Sequence, residues 1–141
     1  LVIQLHDKPC CIYPSDLRVQ LAAHDKYVYP NVSVVCGEPD IMKNDGLDTL
    51  LNPLVIFEVL SPSTAASDRG EKFAMYREVE SLQEYVLVEP HTMRVEHYAR
   101  QEGGKWLLTD YQGADAVVSL HAIGAVLSLR DVYRRVDFAA E

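Results

Sequence analysis

The stretch Leu54-Val55-Ile56-Phe57-Glu58-Val59-Leu60, followed by Ser61-Pro62-Ser63-Thr64, decides the fold class. An unbroken apolar run of this length is the mark of a central strand covered on both faces, and only Glu58 interrupts it. Ser61-Pro62-Ser63-Thr64 ends the strand, and Ser67 or Asp68 is placed to cap a helix running from about Asp68 to Val79. That segment is rich in Glu, Lys, Arg, Met and Ala, the residues that favour helix. Glu84-Tyr85-Val86-Leu87-Val88 returns to strand and stops at Pro90. Strand, helix and strand in this span make a crossover unit, which requires a parallel pair.

Working outward toward the N-terminus, Leu1 to Pro9 reads as the end of a helix, and Cys10 to Tyr13 as a short strand. Asp16 to Leu21 alternates polar and apolar residues, a half-buried strand. A turn at Ala23 to Lys26 leads to Tyr27-Val28-Tyr29, and Asn31 to Cys36 is strand by its valine content. Residues 37–53, with Pro39, Asp45-Gly46 and Pro53, read as a long polar connection. Toward the C-terminus the pattern is one of hairpins. Met93 to Arg100 sets Val95, His97 and Ala99 against Arg94, Glu96 and Tyr98, and Lys105 to Tyr111 runs back after Glu102-Gly103-Gly104. Ala116 to Leu120 is a further strand, and Leu129 to Val136 a closing helix. The expectation is one α/β domain over residues 1–141 with a mixed sheet, flanking helices and a C-terminal antiparallel extension of strands.

Composition narrows the partners. The 141 residues are 48% apolar and 24% charged, the balance of a globular domain that needs no staples. Thirteen Lys and Arg against 21 Asp and Glu give a net charge of −8, a mild argument against nucleic acid as a partner. No apolar run is long enough to span a membrane. Cys10, Cys11 and Cys36 form neither a disulfide framework nor a metal knuckle, so all three are expected as free thiols in a cytoplasmic setting. The chain opens at Leu1 inside an apolar-polar run, and a missing N-terminal segment is expected.

Glu58 carries the most information. A carboxylate in a buried strand needs a cation or shifts its pKa until it is neutral. A metal and a structural Lys or Arg partner both satisfy that need. Asp68, Lys72 and Tyr76 fall at i, i+4 and i+8 and share a helix face, with Phe73, Met75 and Tyr76 as the packing stripe. This directs Lys72 toward the sheet; the alternative is an ordinary surface ion pair worth under about 1 kcal/mol. Glu84 opens the next strand and is ambiguous in the same way. Other chemistries lack their motifs: there is no phosphate-cradling glycine loop, no zinc spacing among the histidines and no Gly-x-Ser-x-Gly elbow.

Taken in order, Tyr29-Pro30-Asn31-Val32-Ser33-Val34-Val35, the string Asn52 to Thr64, Asp68-Arg69-Gly70-Glu71-Lys72-Phe73 with Tyr76, and Glu84 to Val88 resemble the Uma-two family. Ser15-Asp16-Leu17-Arg18-Val19 matches as well, and the resemblance runs from Cys10 to Tyr133. These are restriction endonucleases of the PD-(D/E)xK superfamily. The resemblance implies a restriction-endonuclease-like core and a Mg²⁺-dependent (or Mn²⁺-dependent) DNA endonuclease. DNA is then the expected partner, with a homodimer as a further expectation. It implies a metal held by Glu58 and by the position after Pro30, which here is Asn31. The usual lysine two residues after the second acid falls at Leu60, so the resemblance gives the catalytic role to Lys72. Asp16, Asp68, Tyr76 and Glu84 are the expected supporting residues. Asn31 stands where the family has Asp and brings no charge. The alternative reading is therefore a catalytically impaired member that binds DNA or a protein partner.

Overall fold

The computed structural model describes residues 2–21, 26–44, 46–136 and 138. In chain order the elements are α1 (Val2–Leu5), β1 (Cys10–Tyr13), β2 (Arg18–Leu21), β3 (Lys26–Val28), β4 (Val32–Cys36), β5 (Ile41–Asn44) and β6 (Leu47–Leu50). These are followed by β7 (Val55–Val59), α2 (Ala65–Arg69), α3 (Glu71–Tyr76), β8 (Glu84–Val88), β9 (Arg94–Arg100), β10 (Trp106–Gln112), β11 (Val117–Leu120), β12 (Ala125–Ser128) and α4 (Leu129–Val132).

The apolar run becomes the centre of a six-stranded sheet ordered β1-β4-β7-β8-β9-β10. β7 and β8 are parallel, as the crossover requires, and the neighbouring pairs are antiparallel. The expected mixed α/β architecture and its antiparallel extension are both present. Period-2 alternation splits β7 between two cores. Val55 and Phe57 face Leu5, the β11–β12 hairpin and Leu129. Ile56, with Leu60 beyond the strand, faces Phe73, Tyr76 and the second sheet, ordered β3-β2-β6-β5. Burying side chains the size of Ile56, Leu82 and Leu87 contributes roughly 1.5–3 kcal/mol each, and all three are fully covered.

Four expectations are corrected. Residues 37–53 hold the β5–β6 hairpin rather than a bare connection, and β6 pairs in parallel with β2. The helix expected over 68–79 begins earlier, at Ala65, and is broken at Gly70. A Cβ at Gly70 would lie 3.1 Å from the Ala66 carbonyl oxygen, so a side chain there would press on the preceding turn. Cys10 stands directly opposite Cys36 in the β1–β4 ladder, and the two form a disulfide, leaving Cys11 as the free, exposed thiol. The argument from free thiols to a cytoplasmic setting thereby loses two of its three residues. The closing helix is shorter than expected, Leu129–Val132. Of the turn expected at Ala23 to Lys26, residues 23–25 lie outside the described residues. No helix among the described residues is long and apolar enough to cross a membrane.

Candidate active site

Glu58 sits on β7 on the same face as Ile56, opposite Leu87 of β8. The β4–β7 ladder pairs Val32 with Phe57, and continuing that register sets Asn31 opposite Glu58. The two residues clasp each other. The Asn31 backbone N–H donates to Glu58 Oε1 at 2.9 Å, and the Val59 N–H donates to Asn31 Oδ1 at 2.8 Å.

The chain turns from β7 into α2 through Ser61-Pro62-Ser63-Thr64, where the Thr64 and Ala65 N–H groups donate to the Ser61 carbonyl. α3 is pinned to the sheet by its aromatics. Phe73 stacks on Tyr85 with 5.2 Å between ring centroids, and Tyr76 lies 5.1 Å from Tyr85. That anchorage aims Lys72 at the end of β7. Its ammonium donates to Glu58 Oε2 and, at 3.1 Å, to Asp68 Oδ1. The Asp68 carbonyl in turn accepts from the Tyr85 hydroxyl at 3.0 Å.

Both carboxylates are almost entirely buried, with side chains 4% and 3% exposed, while that of Lys72 is 21% exposed. Burial pushes the Glu58 carboxyl above its ordinary value. Lys72 and the Asn31 N–H pull it down, and the Asp68 charge adds to the rise. Burial works against the Lys72 ammonium too, yet its bonds and charge interactions with Glu58 and Asp68 prevail and raise its pKa. These shifts agree with two carboxylates sharing one ammonium. When all three are ionised, the cluster holds one negative charge in excess.

Tyr76 closes the site from behind. Burial, reinforced by the charges of Glu58 and Asp68, holds its phenol neutral far above the ordinary range. Its hydroxyl and that of Ser33 are the buried side-chain oxygens without a partner among the described residues.

The expected residues do not all converge. Asn31, Glu58, Asp68 and Lys72 meet at one place, and Tyr76 lies in the same core. Glu84 points to the other face of the sheet: it alternates with Tyr85, and its Oε1 lies 2.7 Å from His97 Nε2 while its Oε2 accepts the Ala122 N–H at 3.0 Å. Asp16 is exposed in the turn before β2. Sequence reasoning passed over a neighbouring group. Glu96 lies opposite Leu87, and Asp110 opposite Glu96, which extends the row of Glu58 across the sheet. Arg69 Nε–H donates to Glu96 Oε2 at 3.0 Å, Arg94 Nη2 is 3.3 Å from Glu96 Oε1, and Arg94 Nε–H donates to Asp110 Oδ1 at 3.0 Å. The alternation of Met93 to Arg100 had already set Arg94 and Glu96 on one face, without giving that face a role.

With this geometry in place, known proteins supply its context. The Uma2 family, described as "Putative restriction endonuclease", matches residues 1–130. The chain belongs to that family. Two proteins of Synechocystis sp. PCC 6803 are similar to it. "Uncharacterized protein sll1609" is 38% identical over 118 residues, 84% of this chain and 66% of that protein. "Uncharacterized protein slr1290" is 36% identical over 129 residues, 92% of this chain and 66% of that protein. The Uma2 chain thus spans 66% of the length of the curated relatives it matches. A crystal structure of "a putative nuclease belonging to DUF820 from Anabaena variabilis" superposes with a TM-score of 0.73 at 17% identity, covering 94% of this chain and 73% of that one. At that identity the likeness carries the fold, which is nuclease-like and matches the mixed α/β core expected from the sequence.

The donor set can be tested against a divalent cation. Among the described residues no group of three or more His, Cys, Asp and Glu side chains is arranged around a common point. The carboxylates of Glu58 and Asp68 do converge on Lys72, an oxygen-only pair, with Asn31 bonded to Glu58 through its backbone N–H. Mg²⁺ needs no more, since it is held by one or two carboxylates and completes its shell with water and substrate phosphate. The excess negative charge of the cluster favours a further cation. The residues fit.

Proposed function

We propose that the Uma2 chain is a Mg²⁺- or Mn²⁺-dependent endodeoxyribonuclease. The convergence of Glu58, Asp68 and Lys72 at the end of the parallel strand, with Asn31 clasped to Glu58, carries the reading. Glu58 and Asp68 would hold the ion, and Asn31 Oδ1, which spends one lone pair on the Val59 N–H, has a second to offer. When bound, a divalent cation neutralises charge on phosphoryl oxygens and makes an attacking water more acidic.

The side chains do the rest. Lys72, drawn from its carboxylates toward a phosphodiester, places an ammonium where negative charge grows on the phosphoryl oxygens. Water forms one P–O bond, one ester P–O bond breaks, and the departing oxygen takes up a proton. Tyr76 stays neutral behind the acids and brings no further charge. Glu84 is left out of the site on geometry, since it is held by His97 and the Ala122 N–H.

One observation favours a second reading, a DNA-binding module without cleavage. Asn31 supplies no charge, and Lys72 already closes both carboxylates. Nicking of supercoiled plasmid by the purified chain with Mg²⁺ or Mn²⁺ separates the two. Cleavage is expected from the parent and not from Glu58→Gln or Lys72→Met. If the folded parent leaves plasmid intact with either metal, or Glu58→Gln cleaves as well as the parent, the nuclease reading is wrong.

A further inference from the structure

We infer that Arg69 and Arg94 form a phosphodiester-binding subsite beside the Glu58 cluster, one that holds a backbone phosphate of DNA other than the one being cleaved. The inference rests on the nuclease reading and extends it. Glu96 is two strands along from Glu58 on the same row, roughly 10 Å away at ordinary strand spacing. Its carboxylate is 8% exposed, yet the two arginines that it braces are 38% and 41% exposed and so face solvent. A buried acid that orders two outward-facing guanidiniums keeps them from collapsing onto the surface. Their planar forks are then held ready for phosphate oxygens, which reduces the entropy lost on binding.

The hydrogen bonds leave the forks room to act. Arg69 commits its Nε–H to Glu96, and Arg94 commits its Nε–H to Asp110 and sets Nη2 3.3 Å from Glu96 Oε1, which leaves the Nη groups of Arg69 and Nη1 of Arg94 for phosphate oxygens. Lys72, three residues after Arg69 in the helix pair, adds a third cation, paired with Glu58 and Asp68 while Arg69 and Arg94 pair with Glu96. That local placement matters in a chain of net charge −8, which as a whole repels a polyanion.

The test measures binding without a metal. A fluorescent duplex of about 20 base pairs is titrated by anisotropy in EDTA, between ~50 and ~200 mM salt, where each phosphate contact adds about 0.9 to the slope of log affinity on log salt. The variants are pairs that conserve net charge: Arg69→Gln with Glu96→Gln, and Arg94→Gln with Asp110→Asn. Neither leaves a buried acid unpaired, and the second carries the test if the first fails to melt cooperatively. Each pair should weaken binding roughly eightfold at ~0.1 M salt and lower the slope by about 1, equally for unrelated sequences. If the parent binds and cleaves but both variants keep its affinity and slope, the subsite falls and the nuclease reading stands. If the variants lose affinity in a parent that binds without cleaving, the subsite stands and the cleavage reading falls. A parent that neither binds nor cleaves overturns both.

Discussion

Replacing Lys72 with Met keeps the side-chain stem and removes the ammonium between Glu58 and Asp68. The structure sets the size of the effect. The two carboxylates are 4% and 3% exposed, so neither recovers its hydration when the cation goes. Breaking a buried pair in this way costs about 3–5 kcal/mol. Lys72 is itself 21% exposed, and Glu58 keeps the Asn31 N–H, so the lower end applies, about 3 kcal/mol near pH 8. The loss should also depend on pH. Burial already holds the Glu58 carboxyl above its ordinary value, and removing Lys72 raises it further. A carboxyl raised in the folded state takes up its proton there before the unfolded chain does. The variant therefore regains stability as pH falls from neutral toward the ordinary carboxyl value of about 4.3, by at most about 1.4 kcal/mol per pH unit. Urea unfolding at about pH 8 and about pH 5.5 reads both effects. Adding Glu58→Gln should recover most of the loss at the higher pH, because one of the stranded charges is gone. Mg²⁺ at tenfold its dissociation constant should return about 1.4 kcal/mol. A cost under about 1 kcal/mol, the same at both pH values, would refute the reasoning, since it would mean that the carboxylates are solvated.

Asn31→Asp should tighten Mg²⁺ binding and raise plasmid cleavage, because a hard cation gains a third carboxylate beside Glu58 and Asp68, from the residue that precedes β4. Without metal the same change should lower the melting temperature, since it sets another carboxylate beside Glu58. His97→Phe should destabilise by about 3 kcal/mol in urea, as it strands the buried Glu84 with only the Ala122 N–H. Plasmid cleavage by the folded fraction should nevertheless match the parent, because that pair lies on the opposite face of the sheet from Glu58.

What the sequence disclosed, and what it hid, follows from how local each signal is. The run Leu54 to Leu60 and the strand Glu84 to Val88 declare themselves by composition, and the crossover between them fixes a parallel pair. The shared face of Asp68 and Lys72 is helix geometry and needs no tertiary information. Strand partners are another matter. β6 pairs with β2 across the intervening chain, so Gly46 read as loop punctuation when it lies in the turn between the hairpin strands β5 and β6. Cys10 and Cys36 meet only because the β1–β4 register sets them opposite each other. Glu84 was assigned to the site for its place in the chain, but alternation turns it away, and Leu87 is the residue of β8 that faces Glu58. Register also hid Glu96 and Asp110, since nothing in the sequence counts two and three strands across from Glu58. Asn31 was given its place by the family resemblance alone, and in the structure its backbone N–H bonds Glu58 while its Oδ1 accepts the Val59 N–H.

The central claim is that Glu58 and its neighbours take a hard divalent cation, and calorimetric titration of the purified chain with Mg²⁺ in metal-free buffer tests it most directly. The account predicts saturable heat for the parent, a tighter isotherm for Asn31→Asp and no binding by Glu58→Gln that still melts cooperatively. An isotherm for Glu58→Gln that overlays the parent's would contradict the account, and so would a folded parent that shows no heat beyond dilution.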